Sequence, residues 1–502
     1  MTNEKQVSRF YPICYYVGLI VLVLGVLMII PAVTAAFCRE AQIVSIFLLS
    51  SGIAMAVGCI FIQIGFQYRQ VKINFGEGTI IASLSWLIGM LLCALPLYLS
   101  GSYGSYLDSC FDVMSGLTTT GVFLIQDLDH VSNGINMWRH LLTFLGGQGM
   151  VVLALTFLSR NYANVYMMYV GEGKDEKLSP NAVTTSRSIW RISMLYLVIG
   201  TIVMSALIIH AGLPAGEGIL HGMWIFMSAW STGGFAPMSQ NMLYYHDLGV
   251  EVGSIIFFLI GSFNFALHYA VMRGHRSEIR KNIETVTFTI TLSVLTIICI
   301  TGLMQNNVYP NFMAMFRKGF YLLASGHTTT GFMSVYAKQF FYEWGDIALF
   351  AIITAMLFGG SACSTAGGFK ALRIGIVFKA VKAEISRMLV PDSRIRTARI
   401  HHIRDMILSD SMVKSAALII LLYILTFAIG MLAGMYAGYP AMMAAFESAS
   451  VTGNVGLSIG ITAPSMPAFL KITYLVIMWL GRLEFMSVFT LIAYAFRRLK
   501  RA

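Results

Sequence analysis

Residues 111–121 read FDVMSGLTTTG: an aromatic residue is followed four positions later by a serine, and six positions after that by a glycine. The same spacing recurs as WIFMSAWSTGG at 224–234, YLLASGHTTTG at 321–331 and FESASVTGNVG at 446–456. By chance, a chain of this length should contain such a triple about once or less. Four copies, each beside a long apolar run, therefore indicate a fourfold internal repeat.

The composition is that of an integral membrane protein. Of the 502 residues, 57% are hydrophobic and 11% are charged, whereas soluble domains carry about 25% charged residues. The first apolar run, 11–37, is too long for the core of a signal peptide and lacks a convincing cleavage site, so we predict no cleaved leader. The seven cysteines form no CxxC pair and lie mostly in apolar stretches. This pattern predicts buried thiols, with neither disulfides nor a metal site.

Ten apolar runs are near or above the ~20 residues that a helix needs to cross a bilayer. They lie at 11–37, 42–66, 78–100, 135–158, 188–211, 250–271, 284–304, 344–380 with a break, 412–437 and 468–496. With the N-terminus inside, one side of the membrane collects the basic stretches Arg69 and Lys72, Arg160 to Arg187, Arg273 to Lys281, Lys370 to Arg404, and Arg497 to Arg501. The other side keeps Arg39, Arg139, Arg317, Lys318, Lys338 and Lys471. This asymmetry follows the positive-inside rule, so we expect both termini in the cytoplasm and attribute the net charge of +11 to topology, not to nucleic-acid binding.

We predict an all-α polytopic membrane protein of about ten transmembrane helices, with two N-terminal helices before four pseudo-symmetric helix–pore loop–helix units. The predicted boundaries are 1–75 for the first two helices and 76–172, 173–282, 283–404 and 405–502 for the units. In each unit the repeated triple lies on a stretch too short to span, which predicts a re-entrant helix. These stretches are about 108–118, 218–231, 314–328 and 440–453. Non-helical backbone at membrane depth persists only where it is buried in protein or lines water, so the four turns that follow predict one shared aqueous axis.

The four turns have the composition expected of an ion-binding ring. Their residues are Thr118, Thr119, Thr120 and Gly121; Ser231, Thr232, Gly233 and Gly234; Thr328, Thr329, Thr330 and Gly331; and Gly453, Asn454, Val455 and Gly456. A dehydrated alkali cation needs several oxygen ligands, which rings of backbone carbonyls supply. Glycine tolerates the backbone angles that aim consecutive carbonyls inward. We predict that the aromatic residue and the serine of each triple are scaffold, and that the serine hydroxyl braces the turn. Asp112 and Glu447 leave two alternatives open: negative potential near the ring, or buried hydrogen bonds.

Two features beneath the turns resemble gates. Small and hydroxylated residues interrupt the eighth apolar run at 359–368, which favours a flexible loop over a close-packed helix; the predicted gating residues are Gly359, Gly360, Ser361, Gly367, Gly368 and Lys370, together with Arg482. Arg482 lies at the centre of the last apolar run, and a charge there almost always faces a cavity or a partner. It would be an electrostatic barrier to cations, or else part of a structural ion pair. Glu484, two positions on, should face elsewhere and not neutralise it. Glycines also recur 25 to 29 positions after the turn glycines, at Gly146-Gly147, Gly261, Gly359-Gly360 and Gly481, which predicts a structured region at one level.

These motifs together resemble the Trk/Ktr/HKT superfamily of potassium transporters, and within it the TrkH/TrkG type. The resemblance is carried by FDxxSGLTTTG at 111–121, WRHLLTFLGGQG at 138–149, GSxNF at 261–265, GGSACSTAGGFK at 359–370 and LGRLE at 480–484. It implies K+ uptake through a pseudo-fourfold pore with one filter glycine per repeat, gated by the loop and Arg482. It further implies a homodimer in a bacterial cytoplasmic (inner) membrane, with a cytosolic nucleotide-binding subunit of the TrkA kind docking on 370–404 and 160–187. Gly121 favours K+, since a serine there accompanies Na+ transport in the plant branch.

Other classes of protein fit the sequence less well. A secondary transporter with inverted repeats predicts twofold repetition and ionisable residues in its substrate site. A membrane enzyme needs a nucleophile–base pair or metal ligands, and His221, His268 and His327 are scattered and predicted to be packed. We therefore expect no enzyme and no cofactor, and the resemblance implies K+ as the transported ion. A Na+-permeable or H+/Na+-coupled symporter of the same architecture stays the alternative, and the sequence leaves open channel-like against coupled flux.

Overall fold

The computed structural model describes residues 9–150, 182–389 and 398–499, with 164, 167, 168, 170 and 172 between the first two ranges. Within these ranges the regular structure is helical apart from one hairpin, in which β1 (Arg399–His402) pairs antiparallel with β2 (Arg404–Ile407). The predicted all-α polytopic class is confirmed. Of the sequence stretches singled out above, most of 160–187, part of 370–404, Arg501 and the end of the predicted span 135–158 lie outside the described residues.

The first three helices form two antiparallel spans in front of the repeats. They are α1 (Phe10–Leu27), α2 (Ile29–Phe37) and α3 (Ala41–Gly65). Glycines let α1 and α3 approach closely: a Cβ built on Gly18 would lie 2.7 Å from the Ile62 nitrogen, and one on Gly58 would lie 2.8 Å from the Leu22 nitrogen. Small residues drive such contacts in membranes, where the hydrophobic effect contributes little.

The remaining helices fall into four similar groups along the chain. The first group is α4 (Phe75–Leu99), α5 (Tyr106–Leu117) and α6 (Asn133–Gln148), and the second is α7 (Ala182–His210), α8 (Ala215–Trp230), α9 (Leu248–Gly261) and α10 (Phe265–Met272). A short α11 (Glu278–Lys281) leads to the third, α12 (Ile283–Gln305), α13 (Phe312–His327), α14 (Ala337–Glu343), α15 (Gly345–Phe358) and α16 (Ala371–Met388). The fourth is α17 (Asp410–Tyr436), α18 (Ala441–Thr452), α19 (Ala468–Arg482) and α20 (Met486–Leu499).

Six helices of the described residues are long and apolar enough to cross a membrane: Phe10–Phe37, Ala41–Tyr68, Phe75–Leu99, Ser186–His210, Ile283–Gln305 and Asp410–Tyr436. The predicted runs 250–271 and 468–496 are not straight spans, since each is a bent pair, with angles of 99° between α9 and α10 and 114° between α19 and α20. The predicted break in 344–380 is present, because α15 ends at Phe358 and α16 begins at Ala371.

The four short helices α5, α8, α13 and α18 are the predicted re-entrant segments. Each begins at a defined cap: the side chains of Ser105 and Asn311 accept from backbone N–H groups of α5 and α13, while Pro214 and Pro440 precede α8 and α18. A side-chain cap accepts a hydrogen bond from one of the N–H groups that have no partner at the start of a helix. Proline suits the start of a helix because it has no N–H to donate to a preceding turn. The C-terminal halves of all four are buried, so the short helices point inward.

The recurring glycines explain how the second helix of a unit passes beneath a short helix. A Cβ on Gly146 would lie 1.8 Å from the Leu117 carbonyl oxygen, one on Gly261 would lie 2.2 Å from that of Trp230, and one on Gly481 would lie 2.5 Å from that of Thr452. Those three oxygens belong to the last residues of α5, α8 and α18. The predicted level is therefore present in units one, two and four, where close backbone approach is its physical cause. In unit three it differs, because a Cβ on Gly359 would instead lie 2.1 Å from the Gly367 oxygen of the same segment.

The thiols follow the prediction in part. Cys14, Cys93, Cys110, Cys299 and Cys363 are buried. Cys38 is half-buried and Cys59 is exposed on the outer face of α3, so the prediction of a buried thiol is wrong for Cys59. His221 and His327 are buried, as predicted for packed histidines, and His327 Nε2 lies 2.8 Å from the Thr291 hydroxyl.

The hairpin carries a titratable contact outside the membrane spans. His401 lies between two carboxylates, with Nε2 2.9 Å from Glu278 Oε2 and Nδ1 2.8 Å from Asp405 Oδ1. Hydrogen bonds to Glu278 and then Asp405 raise the pKa of His401 above its ordinary 6.5. The imidazolium contacts therefore stabilise the hairpin fully below the ordinary pKa, and this contribution disappears as the pH rises through the raised pKa.

We expect hydrogen exchange of residues 398–408, corrected for the intrinsic pH dependence, to be slower at pH 6 than at pH 8. The reason is that only the protonated ring donates to both carboxylates at once. The matched variant His401→Gln should exchange at one corrected rate at both pH values. An undiminished pH difference in His401→Gln would assign the effect to another group.

Candidate functional site

The four predicted turns share one backbone conformation. The first residue of each follows its short helix with φ near −80°: −78° at Thr118, −80° at Ser231, −76° at Thr328 and −79° at Gly453. The second is left-handed, with φ of 55° at Thr119, 49° at Thr232, 56° at Thr329 and 54° at Asn454. The φ of the third residue is not positive, whereas the φ of the final glycine is positive again and ranges from 69° to 101°. This alternation of φ signs, ending in a glycine, is the kind of unusual backbone expected from the sequence for strands that aim carbonyls at an ion.

The final glycines close a ring between units that are distant in sequence. A Cβ on Gly121 would lie 2.4 Å from the Gly233 oxygen, one on Gly234 would lie 2.3 Å from the Thr330 oxygen, one on Gly331 would lie 2.0 Å from the Val455 oxygen, and one on Gly456 would lie 2.1 Å from the Thr120 oxygen. Unit one therefore abuts unit two, two abuts three, three abuts four, and four returns to one. Backbone this close to backbone leaves no room for a side chain.

Each turn is held by the repeated serine, but mainly by its backbone. The carbonyls of Ser115, Ser228, Ser325 and Ser450 each accept a 2.8 Å hydrogen bond from the third turn residue, namely Thr120, Gly233, Thr330 and Val455. This is the hydrogen bond of a helix C-terminal motif whose left-handed residue is usually glycine. The predicted bracing by the serine hydroxyl is found in the fourth unit, where the Gly456 N–H donates to Ser450 Oγ at 3.0 Å.

Neighbouring elements explain why two turns depart from the threonine-rich pattern. A Cβ on Gly233 would lie 1.8 Å from Thr143 Oγ1 on α6. One on Gly453 would lie 2.4 Å from the Met356 carbonyl oxygen on α15. In both places a helix of the preceding unit occupies the space that a threonine side chain would need. The turns of units one and three keep their hydroxyls, paired at 2.7 Å between Thr118 and Thr120 and at 2.8 Å between Thr328 and Thr330.

Asp112 and Glu447 make buried hydrogen bonds to the chain that follows their turns. Asp112 accepts from the Leu124 N–H at 2.6 Å and from the Tyr103 hydroxyl at 2.8 Å, and lies 3.7 Å from Arg139 Nε. Glu447 accepts from the N–H groups of Ile459 and Ile461 at 3.0 and 3.1 Å, and from Thr462 Oγ1 at 2.9 Å. Of the two alternatives, the contacts favour hydrogen bonding, since both carboxylates fix the strand three residues beyond a turn glycine.

The interrupting segment is a loop, residues 359–370, folded beneath the ring. It contacts unit two, where the Ser361 N–H donates to the Ser262 oxygen at 3.0 Å and Thr365 Oγ1 lies 2.8 Å from the Gly261 oxygen. It also contacts the turns, since the Gly367 N–H donates to Thr329 Oγ1 at 2.7 Å. Lys370 has φ of 74° and is buried, and its ammonium turns back to donate to the Ala366 oxygen. Gly359 and Gly368 have φ of 72° and 74°, which only glycine adopts readily.

Arg482 ends α19 directly under the first turn. Its Nη1 donates to the Thr365 oxygen at 2.6 Å and to Thr119 Oγ1 at 3.2 Å. Its Nη2 donates to the Gly146 oxygen at 2.6 Å and to the Gly147 oxygen at 3.3 Å. The described hydrogen bonds of this guanidinium thus end on neutral oxygens of the loop and unit one. Glu484 forms its ion pair with Arg373, which agrees with the prediction that it does not simply neutralise Arg482.

Two residues that hold the loop in place were not singled out by the sequence reasoning. Thr365 joins the loop to unit two and to Arg482, and only its place in a run of small residues marked it. Glu284 begins α12, where it is buried and accepts from the Ala362 N–H of the loop at 2.6 Å. A carboxylate at the end of an apolar span was a usable signal for Glu284. For Thr365 that place in the run was the only signal, because its partners come from three distant segments.

Comparison with known proteins identifies a family, relatives and a solved structure that this chain resembles. The model of the TrkH family of cation transport proteins matches residues 53–497. The Trk system potassium uptake protein TrkG of Escherichia coli K12 is 29% identical, across 98% of this chain and 99% of that protein. An uncharacterized cation transporter of Methanocaldococcus jannaschii is 28% identical, across 96% of this chain and 95% of that protein. The crystal structure of the potassium transporter TrkH from Vibrio parahaemolyticus shares the fold, with a TM-score of 0.81 and 24% identity over 96% of this chain and 98% of that chain.

Proposed function

Because the chain belongs to the TrkH family of cation transport proteins, we propose that it takes up K+ across the cytoplasmic membrane through the ring of its four turns. The observation that carries this proposal is the closed series of glycine–carbonyl contacts among Gly121, Gly234, Gly331 and Gly456. In this proposal the backbone carbonyls of the four strands supply the oxygens that replace the hydration shell of K+. The relatives named as potassium uptake proteins support K+ as the ion.

The ligands of the proposed filter are neutral. The carboxylates nearest in sequence, Asp112 and Glu447, accept hydrogen bonds from the strand that follows their turns. Favourable potential then comes from the four short helices, whose C-terminal ends meet at the turns and each carry about half a negative charge. Neutral carbonyls and partial charges bind a monovalent cation strongly enough for it to enter and weakly enough for it to leave.

The loop 359–370 and Arg482 are the proposed gate. Their direct contacts with the turns support this proposal, in which a path from the ring to the cytosol passes them. A positive charge on that path opposes cation flow. Movement of the loop together with the guanidinium is the opening step of this proposal.

Assembly as a homodimer with a cytosolic nucleotide-binding subunit of the TrkA kind is also proposed. α16 continues from the gate loop and exposes both apolar and basic side chains: Phe378, Val381, Ile385 and Met388, with Lys379, Lys382 and Arg387. A helix with such a surface fits a protein partner, and through α16 a partner would act on the loop.

The test is Rb+ uptake into liposomes that contain the purified chain, with K+ or Na+ as the competitor. We expect K+ to block uptake far better than Na+. The same assay is run on Arg482→Met, because a closed gate in the wild-type protein would block uptake even if the filter works. Equal block by Na+ would support the Na+-permeable alternative, and no uptake by either protein would contradict the proposed pore.

A further inference from the structure

The second residue of each turn is the unusual one. Thr119, Thr232 and Thr329 are β-branched residues in the left-handed region, where glycine is the usual occupant and a branched side chain is strained. Strain of this kind persists where the surroundings determine it, and it clusters at switches and binding sites. All three side chains are fully buried. A hydroxyl at this position must therefore supply something that glycine cannot.

All three hydroxyls contact the proposed gate. Thr329 Oγ1 accepts from the Gly367 N–H at 2.7 Å, and Thr232 Oγ1 lies 3.1 Å from Thr365 Oγ1. Thr119 Oγ1 accepts from Arg482 Nη1 at 3.2 Å. Three turns from three units thus meet the loop at two points and the guanidinium at one.

The loop and Arg482 are also tied to each other. Arg482 Nη1 donates to the Thr365 oxygen at 2.6 Å, while the Thr365 side chain lies 3.1 Å from that of Thr232. A displacement of Thr365 therefore disturbs the contacts of two turns together. Thr365 and Arg482 thus join the contacts of the first and second turns to the loop.

The fourth turn takes no part in this set. Asn454 Nδ2 donates to Thr120 Oγ1 and to the Met478 oxygen, both at 3.0 Å. The loop backbone instead packs directly against this turn: a Cβ on Gly367 would lie 2.1 Å from the Gly453 oxygen. The glycine that this close approach requires is Gly367 of the loop, whereas the absence of a side chain at Gly453 is explained by the Met356 oxygen on α15.

We propose that the hydroxyls of Thr119, Thr232 and Thr329 are a latch that holds the loop and Arg482 closed against the inner mouth of the ring. This inference rests on the proposed function, because it names the residues through which the proposed gate contacts the proposed filter. Opening requires the loop to leave Thr329 and Thr232 and the guanidinium to leave Thr119. The left-handed backbone is what aims these hydroxyls at the gate.

The test compares isosteric variants that lose one hydroxyl. Thr329→Val and Thr232→Val remove a latch contact, Thr329→Ser restores the hydroxyl, and Thr301→Val makes the same change on an exposed face of α12. The measured quantity is the rate at which iodoacetamide alkylates Cys363, which lies in the loop and is 8% exposed. Peptide mass spectrometry follows it against Cys93 and Cys299, both fully buried.

We expect alkylation of Cys363 to be about fivefold faster in each valine variant, the factor expected for loss of one buried hydrogen bond that opposes local opening. Thr329→Ser and Thr301→Val should react at the wild-type rate, and Cys93 and Cys299 at unchanged rates in all proteins. Valine variants that react at the wild-type rate would overturn the latch, as would equal acceleration in Thr329→Ser.

Rb+ uptake by the same proteins separates the two proposals. Faster Cys363 alkylation in the valine variants without Rb+ uptake by any protein would leave the latch standing and contradict the pore. K+-selective uptake with unchanged alkylation in the valine variants would support the pore and overturn the latch. Both readouts rising together in the valine variants would support both.

Discussion

In the variant Gly331→Ala, we expect the preference for K+ over Na+ in the Rb+ uptake competition to fall about tenfold, the factor that corresponds to about 1.4 kcal/mol. Two effects combine at this glycine. Its φ is 89°, and an L-residue in a left-handed conformation is strained by roughly 1–2 kcal/mol. In addition, the new Cβ would lie 2.0 Å from the Val455 oxygen, so units three and four must move apart. A ring that widens at one contact no longer replaces the hydration shell of K+ evenly.

Gly438→Ala is the matched control for this variant. Gly438 has φ of 91°, and a Cβ there would meet nothing within 4 Å. It carries the backbone strain without the contact, so its K+/Na+ competition in the Rb+ uptake assay should equal that of the wild type. Equal loss of selectivity in both variants would trace the effect to strain, and an unchanged Gly331→Ala would remove this ring from the proposed filter.

Arg482→Met should raise Rb+ uptake by the isolated chain. A unit charge about 5 Å from a passing cation opposes it by about 3 kcal/mol at an effective dielectric constant of 20. Methionine keeps an unbranched, flexible side chain without the charge. If this barrier limits flow, its removal corresponds to roughly a hundredfold in rate. The same change also deletes the contacts with Thr119, Thr365 and Gly146.

Arg482→Lys separates the charge from those contacts. Lysine keeps the positive charge but lacks the planar fork that reaches several oxygens at once. We expect its Rb+ uptake to rise at most about fivefold, the factor given above for one lost latch contact, and to stay far below that of Arg482→Met because the opposing charge remains. Uptake as high as that of Arg482→Met would assign closure to the hydrogen bonds, and low uptake in all three proteins would contradict a gating role for Arg482.

Local sequence patterns predicted much of the architecture. The four triples located α5, α8, α13 and α18 to within a few residues, since a buried aromatic, a serine and a turn glycine are local requirements of a short helix and its end. The interruption at 359–368 was equally plain, because ten small residues make a poor lipid-facing helix. Arg482 stood out for a physical reason: an isolated charge in an apolar run needs a partner or a cavity.

Local sequence patterns did not predict the bends in 250–271 and 468–496. Hydropathy responds to composition, and both halves of each bent helix are apolar. The left-handed threonines were also beyond prediction, since conformational preference alone places glycine at such positions. The contacts that oppose that preference, such as the Gly367 N–H on Thr329 Oγ1, join residues far apart in the chain.

The sequence by itself determined that this protein is a membrane-embedded helical protein of four repeated units, with a glycine at each turn and a charge and a loop beneath. Those properties follow from composition, spacing and local backbone preference. The tertiary structure alone decided which unit abuts which, where Arg482 donates, and why Gly233 and Gly453 interrupt the threonine pattern. Each of these depends on distances between segments that are many residues apart, and such distances are set only when the four units pack around one axis.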